Sequence, residues 1–518
     1  MIRTSSVVAL AVALALPLVP AQAAPTAQAA PAVRTAAPAA DQWWPPAAPS
    51  QLVVTTEGGA EVTSRDDYLD ATVTLDGVTH VTEIKGRGNS TWGWAKKPYK
   101  LKLEEDAALV GDQPFDEWVL LAGYADRSAL RTAAAFAIAS HTSLRWTPKF
   151  RFVDVVMNGQ PRGLYMLTEQ VEVGEGRVDL PDEGFLLEIN QRYLRDDEPG
   201  FRTRRGTPVS FKDPDEITRR QRRTVRRAVR EFEDVLYRPG FTDRRTGYRA
   251  MVDVRSAIDW YLVQELFRNQ DSNFQSSVHI SWEPGGRFRF GPAWDFDLSA
   301  GTRFRVQDKA EGWHTRLGTH WISRMLQDPS FSARVKSRWA RLRPVVEQVV
   351  GQVPAVGATL APSAQADWQL WHTDGRDLPR SVHANDYTGE VDFVRSWLTA
   401  RTRWLSLNEV RFGADLMRTQ ERDRTVWVPV QLQSPASRTM SVDYRVLAST
   451  ATPGLDVELG DGRVQFDQGQ RLRYIPVRIL SDALVEGTET LMLELHGAPS
   501  DLVVGSPSTV RIRIDPVD

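Results

Sequence analysis

The chain has 518 residues, of which 42% are hydrophobic and 25% charged, with a formal net charge of −2 and no cysteine. This length predicts two or three domains, and this composition is typical of a globular protein rather than a disordered one. The lack of cysteine excludes disulfides, thiolate metal sites and cysteine nucleophiles, and the near-zero net charge provides no overall basic field for nucleic acid.

The N-terminus carries a targeting signal. Arg3 precedes a short apolar run that ends at Ala21-Gln22-Ala23, and these are the parts of a secretory signal peptide at residues 1–23. The run is too short to span a bilayer, and its retention as an uncleaved anchor is the alternative. Residues 24–50 are rich in Ala and Pro, which predicts a flexible linker. We therefore expect a secreted, extracellular protein, free or attached to the cell surface, without an integral membrane segment after cleavage.

A glycine-rich loop follows the first predicted strands. Gly86 and Gly88 stand among Arg, Asn, Ser and Thr residues, a composition that lets backbone N–H groups approach an anion. In the strand after the loop, Lys100 and Lys102 share one face, and a lysine there is suited to binding phosphate. A surface hairpin with solvated lysines is the alternative, because Gly-x-Gly alone is a common pattern.

Helices and strands alternate in the next part of the chain. An Ala-rich helix is predicted up to Ala139, with Asp126 or Ser128 as its cap. Two strands then meet at the turn Asn158–Gly159, and Glu169 ends the second strand.

An arginine-rich helix is predicted from Arg219 to Leu236. Val225, Val229 and Phe232 keep helical spacing with Leu236, so one side packs and the others are basic. A basic helix of this kind suits docking of an acidic protein or an anionic polymer, and a merely solvated face is the commoner explanation.

Two acidic segments lie one predicted hairpin apart. Asn269-Gln270-Asp271 follows a predicted apolar helix, and Trp294-Asp295-Phe296-Asp297 follows strands that flank Glu283-Pro284-Gly285-Gly286. A hairpin returns the chain to its starting point, so Asp271, Asp295 and Asp297 are expected in one cleft. A base at the first position and metal ligands at the second form the layout that phosphoryl transfer needs.

The last part of the chain changes character. Residues 321–404 are predicted to be mostly helical, and from residue 425 six short alternating strands predict a β-sandwich.

Six motifs in order resemble the signature series of the spore coat CotH kinase family over residues 51–410. They are Arg87-Gly-Asn-Ser-Thr-Trp92, Lys97-Pro-Tyr-Lys100, Tyr124-Ala-Asp-Arg-Ser128, the Asn158-Gly to Glu169 segment, Asn269-Gln-Asp271 and Trp294-Asp-Phe-Asp297. The resemblance implies an α+β, atypical protein-kinase-like domain that phosphorylates serines of secreted or coat proteins with ATP and a divalent metal.

The resemblance also implies roles for individual residues. Lys100 would contact the ATP phosphates, Glu169 would lie near the adenine and Asp271 would orient or deprotonate the acceptor hydroxyl. Asp295 would bind Mg²⁺, and Asp297 would support it or share the metal. The phosphate-side loop would begin with Arg87, Gly88, Asn89 and Ser90.

One position departs from the protein-kinase pattern. The asparagine expected five residues after the catalytic aspartate, a second metal ligand, is Ser276 here. Serine is a poorer neutral ligand, and Asn273 would replace it only if the loop bends differently. A pseudokinase that keeps the fold without the chemistry is therefore an alternative.

The C-terminal segment, residues 419–518, resembles a Calx-beta domain, an immunoglobulin-like all-β sandwich. The resemblance rests on the segments Gly454-Leu-Asp456, Val464-Gln-Phe466 and Ile479-Leu-Ser-Asp482, together with the acidic segment that follows. Calcium-binding members use acidic groups at positions that match Asp456, Asp482, Glu486, Glu489 and Asp515. A structural or adhesive module is the alternative, because Ser481, Ala483, Pro516 and Val517 stand where binding members tend to be acidic.

The sequence thus predicts a secreted Ser/Thr protein kinase that uses ATP with Mg²⁺ or Mn²⁺, acts on a secreted or surface protein and binds no nucleic acid. The alternative is a non-catalytic surface or matrix binding protein. Glycoside hydrolysis would also use two carboxylates but leaves Lys100 without a role. A His-Glu-x-x-His metalloprotease is excluded because the motif is absent.

Overall fold

The computed structural model describes most of the chain after the predicted linker. The described residues are 44, 46–195, 198–302, 309–371, 384–436, 438–447, 449–480, 487–499 and 502–516. The predicted signal peptide and nearly all of the predicted linker lie outside them.

The first seven strands close into a barrel. They are β1 (Ser50–Thr56), β2 (Leu69–Leu75), β3 (Val78–Gly86), β4 (Tyr99–Ala107), β5 (Phe115–Leu121), β6 (Phe150–Met157) and β7 (Gln160–Glu169). Their order is β1-β2-β3-β4-β5-β7-β6, and parallel pairing of β1 with β6 completes the closure. Alternate side chains along the strands point inward, and they form a core of Leu, Val and aromatic residues.

A second sheet of five strands follows the barrel. Its strands are β8 (Phe185–Ile189), β9 (Gly200–Arg202), β10 (Pro208–Asp213), β11 (Val278–Trp282) and β12 (Arg289–Phe290). The order is β12-β11-β8-β10-β9. Every residue of β8 and β11 is buried, since both strands lie inside the sheet and helices cover it. Antiparallel pairing of β11 with β12 confirms the predicted hairpin.

Six helices pack with this sheet in one hydrophobic core. They are α1 (Arg131–Ala139), α2 (Arg219–Tyr237), α3 (Val254–Phe267), α4 (Trp321–Met325), α5 (Pro329–Trp371) and α6 (Tyr387–Leu405). Each lies where the sequence predicted helix, and α1 and α3 are almost wholly buried. No helix in the described ranges has the length and apolar character needed to cross a membrane.

Side-chain hydrogen bonds stabilise the start of two of the helices. Thr218 and Gln221 form a reciprocal capping box at the start of α2. Asp126 accepts the Arg131 backbone N–H at 2.8 Å, and the Ser128 hydroxyl accepts the Leu130 N–H at 3.1 Å. The N-cap position of α1 is Leu130, so the prediction of Asp126 or Ser128 as the cap is wrong, although both side chains accept backbone N–H groups at the helix start.

The C-terminal strands form two facing sheets. They are β13 (Asn408–Phe412), β14 (Leu416–Gln420), β15 (Thr425–Leu432), β16 (Met440–Val446), β17 (Val457–Glu458), β18 (Gly462–Phe466), β19 (Leu472–Ile479), β20 (Glu489–His496), β21 (Leu502–Val504) and β22 (Thr509–Asp515). The orders are β17-β19-β15-β13-β21 and β14-β22-β20-β16-β18. All six predicted strands are present. The sandwich begins ahead of residue 419, because Val410 and Phe412 lie fully buried in its core.

A buried junction connects the sandwich to the preceding part of the chain. We call Trp313, Arg316, Glu409 and Val504 the junction. Arg316 Nη1 lies 2.6 Å from Glu409 Oε2, with both side chains almost completely buried. Trp313 Nε1 donates to the Val504 carbonyl at 3.4 Å, and the Arg316 guanidinium stacks 4.4 Å from the Trp313 ring centroid. The two parts therefore share polar contacts that water cannot easily replace.

Candidate active site

A cleft of about 880 Å³ is lined by residues of both the barrel and the second sheet. Asp271, Asp295 and Asp297 all line it, as does Lys100 from the barrel. The hairpin thus brings the two acidic segments together in the way that the sequence predicted.

Asn269 holds the first acidic segment in place. Helix α3 ends at Arg268, which adopts a left-handed conformation with φ 47°. The Asn269 side chain then accepts the Asp271 backbone N–H at 3.2 Å and donates to the Asp295 carbonyl at 2.9 Å. One amide side chain therefore fixes the spacing between Asp271 and the second acidic segment.

Negative charge accumulates at the second acidic segment. Burial raises the pKa of Asp297 well above its usual range, and the charges of Asp295, Asp126 and Asp271 raise it further. Ser277 donates its hydroxyl to Asp295 Oδ2 at 3.1 Å. Such an excess of buried carboxylate fits a divalent cation.

The protein alone does not supply a full coordination shell. Over the ranges that the structure describes, no group of three or more His, Asp or Glu side chains is arranged to hold a metal ion. Mg²⁺ is commonly bound by one or two carboxylates together with substrate phosphates and water. The donor set of this cleft therefore fits a metal that arrives with a nucleotide.

The glycine-rich loop borders the cleft. Gly88 has φ +81°, and a Cβ there would overlap the Thr91 hydroxyl, so the turn requires glycine. Arg65 fixes the loop by donating to the Gly88 carbonyl at 2.8 Å and to Asn89 Oδ1 at 3.2 Å. The Arg87 guanidinium lies 5.8 Å from the Trp294 ring centroid, and desolvation lowers its pKa although the charges of Asp295 and Asp297 oppose that shift. Arg87 thus belongs to the acidic side of the cleft.

Lys100 enters the cleft from strand β4. Burial alternates along β4, as the sequence predicted, so that Lys100 and Lys102 stand on the more exposed face. Lys100 Nζ lies 2.6 Å from Glu117 Oε2 on the neighbouring strand β5. Glu117 therefore orients the lysine, and this partner was not apparent from the sequence.

If the chain has the ATP-dependent activity that the family resemblance implies, replacing Glu117 by Gln should raise the KM for ATP about three- to tenfold with little change in kcat. The physical reason is that Lys100 would lose its charged partner, a partly exposed pair of modest strength. Steady-state kinetics of Glu117→Gln beside Glu104→Gln, an exposed position on β4, measures this effect. Equal KM values for the two variants would show that Glu117 does not position Lys100.

Glu169, predicted to lie near the adenine, is buried and is not among the residues that line the cleft. Its side chain is 1% exposed, and its Oε2 accepts the Lys149 backbone N–H at 2.6 Å. Burial raises the pKa of Glu169 to about 7 despite that bond. Its neighbour Gln170 lines the cleft.

The position that departs from the kinase pattern lies at the cleft. Ser276 lines it. Asn273 instead faces two histidines, with its side chain 3.4 Å from His314 Nε2 and 3.4 Å from His320 Nε2. The loop therefore does not bend in the way that would let Asn273 take over from Ser276.

Sequence reasoning missed a polar group on the sheet side of the cleft. Glu188 in β8 accepts the Ser277 backbone N–H at 2.7 Å, and Lys212 lies between Glu188 and Glu198. Burial lowers the pKa of His279 to about 3, and its Nδ1 has no hydrogen-bond partner among the residues that the structure describes. The signal for Glu188 was a single charge inside the apolar run Phe-Leu-Leu-Glu-Ile.

The predicted calcium ligands are only partly described. Asp482 and Glu486 lie outside the described residues. Asp456 accepts the Thr452 backbone N–H at 2.6 Å, and Asp515 pairs with Arg513 at 2.7 Å. Glu489 begins β20 opposite Ile514. Calcium binding by this group therefore stays a prediction.

These observations define a chain in two parts, a mixed, β-rich N-terminal part with an acidic cleft and an all-β sandwich. A family model described as CotH kinase protein matches residues 84–405, which is more than half of the chain. A model of the Calx-beta domain matches residues 408–515. The chain belongs to the CotH kinase family and carries a C-terminal Calx-beta domain, which confirms the predicted resemblance.

The individual proteins named next match short stretches of the chain. The adhesion G-protein coupled receptor V1 of Danio rerio is 32% identical over 90 residues, which are 17% of this chain and 2% of the receptor. The apo-form Calx CBD1 domain is 20% identical with a TM-score of 0.21, over 22% of this chain and 99% of that structure. The CBD12 structure of CALX1.1 is 20% identical with a TM-score of 0.20, over 21% of this chain and 44% of that one.

Proposed function

We propose that the protein is a secreted, atypical protein kinase that transfers the γ-phosphate of ATP to Ser or Thr of extracellular or surface proteins. The observation that carries the proposal is the convergence of Asp271, Asp295, Asp297, Arg87 and Lys100 on one cleft. Membership of the CotH kinase family supports a kinase-like function independently. Export rests on the signal peptide predicted at residues 1–23, and a kinase-like fold of residues 51–410 is part of the proposal.

The cleft has the size and the donors for a nucleotide. Its volume of about 880 Å³ lies in the range of small-molecule sites. The backbone of residues 87–90 turns through Gly88 with no Cβ to block a phosphate, and Lys100 supplies a positive charge from the facing strand. These residues would hold the phosphates while the inner end of the cleft takes the base.

Asp295 and Asp297 would hold a divalent metal, Mg²⁺ or Mn²⁺. The metal would neutralise the charge that develops on the phosphate oxygens during transfer. The two carboxylates would keep the phosphates aligned with the acceptor, and Arg87 beside them would add positive charge. Ser276 at the cleft would contribute a neutral oxygen to a second metal position.

Asp271 would act on the acceptor hydroxyl. Asn269 fixes its backbone, so the carboxylate stands on a rigid support at the end of the buried helix α3. Asp271 would accept the hydroxyl proton as the acceptor oxygen bonds to the γ-phosphorus and the bond to the bridging oxygen breaks. This assignment gives each acidic group in the cleft a separate role.

Transfer of labelled γ-phosphate from ATP to the protein itself and to casein, with Mg²⁺ or Mn²⁺, tests the proposal. Asp295→Ala should lower metal-dependent labelling by about a thousandfold, because phosphate charge stabilisation would be lost. Asp70→Ala, an exposed aspartate of the barrel, is the matched control and should label normally. ATP binding without labelling would instead identify a pseudokinase, and neither binding nor labelling would favour a surface-binding protein.

A further inference from the structure

Helix α2 is strongly basic on its exposed sides. Seven of its nineteen residues are arginine, whereas Glu231 and Asp234 are its exposed acids. The remaining acid, Glu233, is buried and accepts hydrogen bonds from Thr203 and Thr207. The exposed surface of α2 therefore carries a clear positive excess, although the whole chain has a net charge of −2.

Helix stability does not account for this charge. Four of the arginines stand in the first five residues of α2, and its first turn holds no acidic residue. That end of a helix carries the positive end of the macrodipole, where cations are disfavoured. The described intrahelical ion pair, Arg227 to Glu231, is exposed and stretched to 4.0 Å. The arginines thus weaken the helix start rather than strengthen it.

The basic helix is continuous with the cleft. Arg192 and Arg195 line the cleft together with Glu198, and strand β9 follows them in the chain. The first half of α2 packs on β9, because Arg222 donates to the Gly200 carbonyl and the Arg226 guanidinium lies 5.6 Å from the Phe201 ring centroid. We call these nine arginines the basic surface: Arg192, Arg195, Arg219, Arg220, Arg222, Arg223, Arg226, Arg227 and Arg230.

Several arginines of the basic surface are exposed and form no ion pair within the described ranges. Within the ranges that the structure describes, Arg192 and Arg195 form no ion pair, and the same holds for Arg219, Arg220 and Arg223. Some surface arginines elsewhere are paired, for example Arg151 with Asp76 at 2.6 Å. Clustered and unpaired cations raise the local concentration of an anionic partner and speed its association.

We propose that the basic surface binds an acidic polypeptide segment that flanks the phosphoacceptor residue. The inference rests on the proposed function, because Arg192 and Arg195 belong to both the cleft and the basic surface. An occupant that reaches both must present a hydroxyl at Asp271 while its flank lies along α2. The substrate class is therefore proteins with Ser or Thr beside a run of Asp or Glu.

Direct binding tests the surface without requiring catalysis. Fluorescence anisotropy of a labelled Ser peptide with a Glu-rich flank is measured on the full chain carrying Asp271→Ala, at several salt concentrations. Adding Arg219→Gln, Arg220→Gln and Arg223→Gln should weaken binding about tenfold and flatten its salt dependence. The matched control removes three exposed arginines elsewhere, Arg334, Arg341 and Arg422, and should bind like the parent.

Transfer kinetics supply a second readout on the chain with Asp271 intact. A peptide with a Glu-rich flank should have a lower KM than its Gln-flanked counterpart, and the triple variant should lose that difference with kcat unchanged. Peptide binding without phosphate transfer would contradict the proposed kinase function but not peptide binding by the basic surface. Transfer without a preference for the acidic flank would contradict peptide binding by the basic surface. Unweakened peptide binding by the triple variant, or preferential binding of duplex DNA or anionic vesicles, would also overturn it.

Discussion

Asp271→Ala should abolish phosphate transfer while the protein still folds and binds ATP. Asp271 lines the same cleft as Asp295 and Asp297, and general-base groups contribute about 10²- to 10⁴-fold to phosphoryl transfer. We expect a loss of about a thousandfold in the labelling rate. Initial rates with saturating ATP measure it, with binding of a fluorescent ATP analogue recorded in parallel.

Asp271→Asn separates the proton acceptor from the shape of the side chain. The substitution keeps the side-chain volume, and the backbone N–H of residue 271 can still donate its hydrogen bond to Asn269 Oδ1. The variant should therefore fold like the parent. A labelling loss close to that of Asp271→Ala is expected, since the amide cannot take the acceptor proton. Unchanged transfer in either variant would remove Asp271 from the mechanism.

Arg401→Met should destabilise the protein by about 3–5 kcal/mol, the usual effect of removing one partner from a buried ion pair. Arg401 Nη2 lies 2.7 Å from Glu265 Oε1, with both side chains essentially unexposed. The same guanidinium donates to the carbonyls of Glu265, Ala310 and Gly312. Desolvation lowers the pKa of Arg401 to about 10, although the Glu265 charge opposes that shift.

The destabilisation should be visible as a lower urea midpoint by tryptophan fluorescence. Arg403→Met, an exposed arginine on the same helix, is the matched control and should stay within about 0.5 kcal/mol of the parent. Because the Glu265 carboxylate also accepts the His314 and Arg316 backbone N–H groups, residues 310–316 should exchange amide hydrogens faster. Equal midpoints for the two variants would show that the pair contributes little.

The sequence predicted the elements that depend on local pattern. The hairpin between Asp271 and Asp295 followed from alternating strands and a Pro/Gly turn, and the order of β11 and β12 bears this out. Helix α3 followed from apolar residues at helical spacing. Lys100 reached the cleft because strand alternation fixed the face on which it stands.

Contacts between distant segments could not be predicted from local sequence pattern. Closure of the barrel depends on parallel pairing of β1 with β6, which are about a hundred residues apart in the chain. Glu117 lies opposite Lys102 in the pairing of β4 with β5 and reaches Lys100 diagonally, a register that no residue spacing specifies. Glu265, within an apolar helix, carried no sign that Arg401 would meet it.

The junction limits how freely the two modules can be exchanged during evolution. A different sandwich placed after residue 406 would have to supply a carboxylate in the place of Glu409 and a carbonyl in the place of Val504. Without them, Arg316 would be left as a buried cation beside the loop that carries Thr315, whose hydroxyl is 2.6 Å from that of Ser272. Exchange of the sandwich between homologues should therefore succeed only where both sides of the junction are transferred together. We expect the N-terminal part and the sandwich to be inherited as a unit.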